Sequence, residues 1–506
     1  MCRVPIFMAV MACAIGHVLG AEPGKRAADY HLSVDWTRPS GVLQTVPSLQ
    51  VVTNPLLRPG SPLRDSAFRA LKNLGANDVR FVPWYPFPKL AVPELAAPRD
   101  GKTSWNFSLI DPLVTEFFTA TRGHPIIMNF STIPQWMFRQ RQPVRCPANP
   151  DRECGTYSQA PSESLIDPQE VGKYFARIVS WYTRGGFTDE YGHYHYSGYH
   201  FKIPYWEVLN EPDVEHGFTA EQYTAVYDAI VAAIHKVSPK TKFVGLALAF
   251  VNAKSLPVFK YFLNPRNHRP GTPINMISMH FYAHPGRSHS MAESFFNQAN
   301  KFVATARRIE RLRNQLSPQT QLIADEVGSL LPEQNISRHR PPISKVYWNL
   351  SGALYAYVYV KLARLGFTAV NESQLVGYPT EFPEVSMLDW RDGKPNARYW
   401  VLDLLRDQLT IGDSMYPAQA VSVGNLTARS PVVAQGYKSA TGVRKILIIN
   451  TGDKSIRLTL GAEVKGGRLE VVDESTEEGS PRISRLRSNG VPLEPFAVAV
   501  VRFPRD

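Results

Sequence analysis

Residues 204–213 read Pro204-Tyr205-Trp206-Glu207-Val208-Leu209-Asn210-Glu211-Pro212-Asp213. A short apolar run with two aromatics and a valine breaks off at Asn210-Glu211-Pro212. That is the pattern of a β-strand delivering an amide and a carboxyl to its C-terminal tip. Pro212 has no N–H to donate, so the strand ladder stops there. On its own the tripeptide is equally well a strand-ending turn with a solvated glutamate. The rest of the chain decides between the two.

Outward from this stretch, strand-like and helix-like segments alternate. Strand patterns fall at residues 31–36, 78–83, 125–130, 205–209, 242–248, 275–281, 321–326 and 368–372. Helical spacing falls between them, at 66–74, 107–121, 168–182, 220–237, 256–263, 293–316 and 346–365, with an eighth helix at 396–409. Eight β–α units predict the α/β class and a (β/α)8 TIM barrel with long loops. No glycine-rich phosphate loop follows any strand, which argues against a doubly wound sheet. From about residue 412 short β-type runs separated by Gly, Asp and Ser turns predict a C-terminal all-β sandwich. The expected organisation is a leader over 1–21, a barrel over 22–411 and a sandwich over 412–506.

The chain has 506 residues, 44% hydrophobic and 20% charged, which excludes a disordered polymer. Aromatics at 11% suit stacking on sugar rings and a large core alike. Arg3 precedes an uncharged run from Val4 to Ala21, with small residues Gly20 and Ala21 ahead of Glu22 and Lys25. This is the layout of a secretory signal peptide, with an uncleaved anchor as the alternative. No later stretch is long and apolar enough to span a bilayer. Cys2 and Cys13 lie in the leader, so Cys146 and Cys154 are expected to form a disulfide in an oxidising compartment. The net charge of +12 is spread along the chain. Its dense groups are short (Arg307, Arg308, Arg311, Arg313; Arg482, Arg485, Arg487), so charge assigns no nucleic-acid partner.

Barrel enzymes carry their chemistry at the C-terminal ends of the strands. There the fourth strand presents Asn210 and Glu211, the seventh Asp325 and Glu326, and the sixth His280 and Tyr282. The second carries Arg80 and leads into Trp84, and the eighth ends in Glu372 and Gln374, all four candidates for binding substrate, the last two as hydrogen-bonders to sugar hydroxyls. Two carboxyls facing each other across a barrel mouth are what glycoside hydrolysis needs, one to protonate the departing oxygen and one to attack the anomeric carbon. Their environments must differ, since one stays protonated and the other ionised. Arg80 and Tyr282, if bonded to Glu326, would keep it charged. Trp84, Trp136 and Trp390 are candidates for sugar stacking, although large aromatics fill rims more often. His193, His195 and His200 alternate with tyrosines without metal-ligand clustering, and no metal or cofactor is expected. Sequons at Asn106, Asn129, Asn335, Asn349, Asn371 and Asn425 decide nothing about function.

These residues resemble the pattern of clan A glycoside hydrolases. Trp206-Glu207-Val208-Leu209-Asn210-Glu211-Pro212-Asp213 looks most like glycoside hydrolase family 39, the β-xylosidase and α-L-iduronidase group. Ile277-Ser278-Met279-His280-Phe281-Tyr282, Trp105-Asn106-Phe107 and the β-rich C-terminal module agree with it. The resemblance implies a retaining mechanism with Glu211 as acid/base and Glu326 as nucleophile. It further implies Asn210 on the sugar 2-hydroxyl, His280 and Tyr282 lining the −1 subsite, and an oligosaccharide, polysaccharide or glycoconjugate substrate. The segment 366–400 matches neither well-known activity, so no particular sugar follows. The alternatives are a uronic-acid-cleaving enzyme of the β-glucuronidase kind, mildly favoured by the basic charge, and a glycan binder without catalysis.

Overall fold

A computed structural model describes residues 28–140, 142–287, 289–331, 342–423, 430–477 and 479–504. The expected leader, and the sequons at Asn335 and Asn425, lie outside them. Eight parallel strands close into a barrel: β1 Val46–Val52, β2 Val79–Val82, β3 Ile126–Met128, β4 Tyr205–Glu207, β5 Lys242–Leu248, β6 Met276–Ala283, β7 Gln321–Ser329 and β8 Ala369–Glu372. Each pairs with its neighbour in sequence, and β8 closes on β1 with Glu372 opposite Leu49. Strands covered on both faces bury every residue, as the apolar β3 does and as β2 does with Arg80 included.

A helix follows each strand and packs outside it. Arg64–Leu74 buries Ala67, Phe68, Leu71 and Leu74 and stops at Gly75, whose φ of 53° is the left-handed cap. Ala220–Val237 starts on a capping box between Thr219 and Gln222. It lies so close to Pro168–Thr183 that a Cβ on Gly172 would come 2.6 Å from the Ala229 carbonyl oxygen. Glycine is the residue that permits that contact.

The first strand is a correction. The alternating segment expected to open the barrel lies in strand Ala28–Val34, which pairs with Ser414–Ser422 and Ile456–Thr459 of the C-terminal sheet. Alternation is the signature of a strand with unlike faces, and the barrel's own first strand, Val46-Pro47-Ser48-Leu49-Gln50-Val51-Val52, does not alternate because both its faces are covered. The C-terminal module is one ten-stranded sheet, from Arg482–Arg485 at one edge to Gly490–Leu493 at the other, curled around its own core. Tyr30 and Leu32 from the N-terminal strand complete that core beside Ile448, Leu458, Val471 and Val501. Arg364, at the end of helix Lys345–Ala363, ties barrel to sheet through Gln435 Oε1 and the Ala434 carbonyl, each at 2.8 Å.

Cys146 and Cys154 are joined, with their Cα atoms 5.4 Å apart. No helix among the described residues is long and apolar enough to cross a membrane. Of the four described sequons, Asn129, Asn349 and Asn371 are buried, leaving Asn106 exposed. Because Leu32 is buried in a sheet core built from both ends of the chain, Leu32→Ala is expected to cost about 2–5 kcal/mol, read as a lowered midpoint in urea unfolding. An N-terminal strand lying loose would give no loss.

Candidate active site

A β-bulge builds the floor of the site. β6 and β7 run in register from Met276 opposite Gln321 to Met279 opposite Ala324, and then His280 stands opposite Glu326. Asp325 is the extra residue. In a regular strand two consecutive side chains point to opposite faces, and the bulge re-aims them, so Asp325 and Glu326 both reach Arg80 in the barrel interior. A second irregularity, between β5 and β6, places Leu246 and Ala247 at positive φ. There the Ala247 carbonyl accepts the Glu211 N–H at 3.0 Å. Glu211 itself sits at φ 40°, ψ 50°, a left-handed conformation costing a non-glycine residue on the order of 1 kcal/mol.

Arg80 rises from β2 into this floor, fully buried. Its Nε donates to Glu207 Oε2 at 2.5 Å, Nη1 to Gln50 Oε1 at 2.7 Å and to Glu326 Oε1 at 2.6 Å, and Nη2 to Asn210 Oδ1 at 2.7 Å. Asp325 lies 3.4 Å from Nε. Tyr282 donates to the other Glu326 oxygen at 2.7 Å, so the Ser373 hydroxyl, 2.6 Å away, donates in turn to Tyr282. Gln50 Nε2 holds that serine at 2.7 Å. His280 Nδ1 bonds Glu211 Oε1 at 2.8 Å and lies 3.5 Å from Glu326 Oε2.

The carboxyls part ways electrostatically. Burial pushes Glu211 up, and the His280 bond offsets only part of that. Burial would push Glu326 up as well, but the His280 charge, the Arg80 guanidinium and the Tyr282 hydroxyl bring it below the usual range. Burial works against a charged His280, yet Glu326, Glu211 and Asp325 raise it to about 9, so it is imidazolium at neutral pH. Burial, then the neighbouring Glu207 charge, keeps a proton on Asp325. Burial also opposes ionisation of Glu207, but Arg80, the shared Asp325 proton, Ser278 and Asn129 overturn it and bring Glu207 to about 2.

Above this floor opens a cavity of about 340 Å³. Of the sequence-predicted residues, Asn210, Glu211, Trp84, Tyr282, Glu326 and Gln374 line it. Arg80 and His280 do not: they lie beneath the carboxylates and hold them. Glu372 is a further correction, being fully buried and bonded to Arg398 Nε at 2.8 Å away from the cavity wall. Trp136 and Trp390 are not among the lining residues; the Trp136 indole donates to the Glu94 carbonyl. His195 bonds Asp189 at 2.9 Å rather than joining a ligand cluster. Among the described residues, Glu211, His280 and Glu326 form the one group placed to ligate a cation. A protonated His280 offers it no lone pair, and Arg80 beneath repels it.

Sequence reasoning missed several partners. Glu207, Gln50 and Ser278 are polar residues inside apolar strand runs, and that incongruity was their signal; Asp325 was read at its strand tip without its part in holding Arg80 and Glu207. Glu215 had none. It lies one helical turn beyond Glu211 in Pro212–Glu215, where Asn210 Nδ2 at 3.0 Å and the Trp84 indole at 2.9 Å both donate to its Oε1. Burial raises it to about 8. Glu381, in the loop after β8, lines the cavity and is likewise raised by burial, then by Glu153, to about 8. Replacing Arg80 by Met would leave Glu207 charged and unpaired in the barrel core. The expected loss is about 3–5 kcal/mol, measured by denaturant unfolding of Arg80→Met against wild type.

No protein-family model and no curated protein sequence matches this chain. Solved structures do. A GH51 arabinofuranosidase from Xanthomonas axonopodis pv. citri superposes with TM-score 0.64 at 11% identity, over 94% of this chain and all of the other. The catalytic domain of GH30 xylanase C from Talaromyces cellulolyticus gives 0.58 at 12%, over 94% and 100%. A conserved exported protein from Bacteroides fragilis gives 0.59 at 12%, over 93% and 100%. At such identities the likeness establishes the fold: a TIM barrel with a C-terminal β domain, an architecture this chain shares with glycosidases.

Proposed function

We propose that the protein is a retaining glycoside hydrolase acting by double displacement, with Glu326 as nucleophile and Glu211 as acid/base. One observation carries this. One oxygen of Glu211 and one of Glu326 lie within 4.8 Å of each other, both against His280 Nδ1, a closeness that favours the roughly 5–5.5 Å spacing of retaining pairs over the wider spacing of inverting ones. In the first step the ionised Glu326 bonds the anomeric carbon while the Glu211 proton goes to the departing oxygen. In the second, Glu211 takes a proton from water, and that water's oxygen displaces Glu326. The opposite displacement of the two carboxyls supports this division of labour.

The cavity supports a neutral sugar. Among the described residues none of its lining is Lys or Arg, Arg80 being committed to its own acceptors, and Glu381 adds a carboxyl to the wall. Among the described residues a uronate would meet no Lys or Arg on the cavity wall. Gln374 Oε1 is buried without a partner among the described residues, an acceptor that a sugar hydroxyl would satisfy. Phe250 and Phe382, 63% and 43% exposed at the rim, are placed to stack on the leaving group. The disulfide supports work outside the cytoplasm, as does the likeness to an exported protein.

Glu326→Ala should abolish hydrolysis across a panel of aryl glycosides. Glu211→Gln should lower kcat by about 10²–10⁴ on poor leaving groups, with both variants melting cooperatively. Proton NMR should find the first-formed sugar in the substrate's anomeric configuration; turnover by Glu326→Ala, or inversion, sinks the reading. The pH profile follows from the shifts. Activity needs Glu326 ionised and Glu211 protonated, so kcat/KM falls in acid as Glu326 gains its proton and in alkali as Glu211 loses one. His280 depresses both carboxyls, so His280→Gln should move both limbs to higher pH.

A further inference from the structure

The edge of the C-terminal sheet carries a row of cations. In register, Arg485 stands opposite Arg468, Arg468 opposite Arg502, and Arg502 opposite Lys445. Directly opposed residues of antiparallel strands project from one face. Four cations on four successive strands therefore form a line, spaced by about 4.8 Å per strand. Like charges set opposite each other are destabilising, and carboxylates meet two of the four, with Asp413 3.7 Å from the buried Lys445 ammonium. Glu470 holds Arg468 at 2.8 Å. Lys445 is buried, and its ammonium donates to the Gln408 carbonyl. Arg485 gives its Nε to the Gly466 carbonyl at 3.2 Å. Among the described residues no carboxylate lies at ion-pair distance from Arg485 or Arg502, although the Arg502 charge reaches Glu470. Arg485 and Arg468 are exposed and Arg502 half-buried.

We propose that this row binds an acidic polysaccharide, its guanidinium groups taking carboxylate or sulfate groups along the chain. Planar guanidinium forks match such anions and retain their charge at any working pH. Ile483, two residues before Arg485 on the same face and 57% exposed, offers an apolar surface to a sugar ring. Single-stranded nucleic acid is held on aromatic platforms, and no exposed aromatic lies on these strands among the described residues. One isoleucine gives a membrane little to take up. The choice of a glycan rests on the glycosidase reading; the charged row does not. The two sites also fit together: a cavity with no Lys or Arg among its described lining residues removes a neutral sugar, and the row on the C-terminal sheet holds a polymer that carries its acid elsewhere.

The test uses immobilised polygalacturonate and neutral dextran as probes for the full chain at low ionic strength. Wild type should bind polygalacturonate and not dextran, with affinity falling as salt rises. Arg485→Ser/Arg502→Ser, which leaves the Arg468–Glu470 pair in place, should weaken binding at least about tenfold and leave aryl glycoside hydrolysis unchanged. Absence of wild-type binding, or equal binding by the double variant, overturns the proposal. So does equal or tighter binding of duplex DNA or phosphatidylserine vesicles that depends on the same two arginines. Polygalacturonate binding by a protein that hydrolyses no glycoside would support the row and overturn only the glycosidase reading.

Discussion

A fully buried guanidinium is the constraint from which the site follows. Removing an ion of this size from water costs several kcal/mol, and Arg80 recovers it only by meeting acceptors from four strands and loops at once. Gln50 comes from β1, Glu207 from β4, Asn210 from the tip beyond β4, and Glu326 from β7. Each bond fixes the rotamer of its partner as well as satisfying the arginine. Asn210 is aimed, Glu326 is oriented and ionised, and Glu207 is kept charged in the barrel core. The barrel closes around this cation, and the cavity above inherits its geometry.

The protons distribute to match. With Arg80 and His280 positive, Glu207 and Glu326 negative and Asp325 protonated, the buried group is neutral when Glu211 holds the proton that the proposed mechanism asks of it. Ionising Asp325 as well would put uncompensated charge beside Glu207 at low dielectric, which is why that proton is shared rather than released. Asp325 thus acts through Glu207 and Arg80, and the bulge that turns it inward serves the charge balance as much as it serves Glu326.

What was legible in the chain followed from periodicity. Seven of the eight barrel strands stood out as apolar runs, and Glu211 and Glu326 stood at their tips, so the pair was visible once the runs were counted. The first strand was not, because Val46–Val52 is covered on both faces and carries a proline, while the N-terminal strand alternates cleanly in a sheet built by the far end of the chain. Arg80 and His280 were found but placed one layer too high, since strand order cannot tell a side chain at the cavity from one beneath it. Glu372 shows the same limit, ending a barrel strand yet turning to Arg398. Glu215, on a single helical turn, and Glu381, in a loop, depend on local chain conformation that no periodicity encodes.

The proposed mechanism asks one glutamate to be an acid and then a base, and the charge balance supplies the means. In the free site the negative Glu326 is among the influences that raise Glu211. When Glu326 becomes a glycosyl ester its charge disappears, while Arg80 and His280 keep theirs. The buried group then carries an excess positive charge and favours an ionised Glu211, the form needed to take a proton from water. Hydrolysis of the ester restores the carboxylate and raises Glu211 again. A fixed guanidinium and a fixed imidazolium thus let one carboxyl change role twice per turnover without moving.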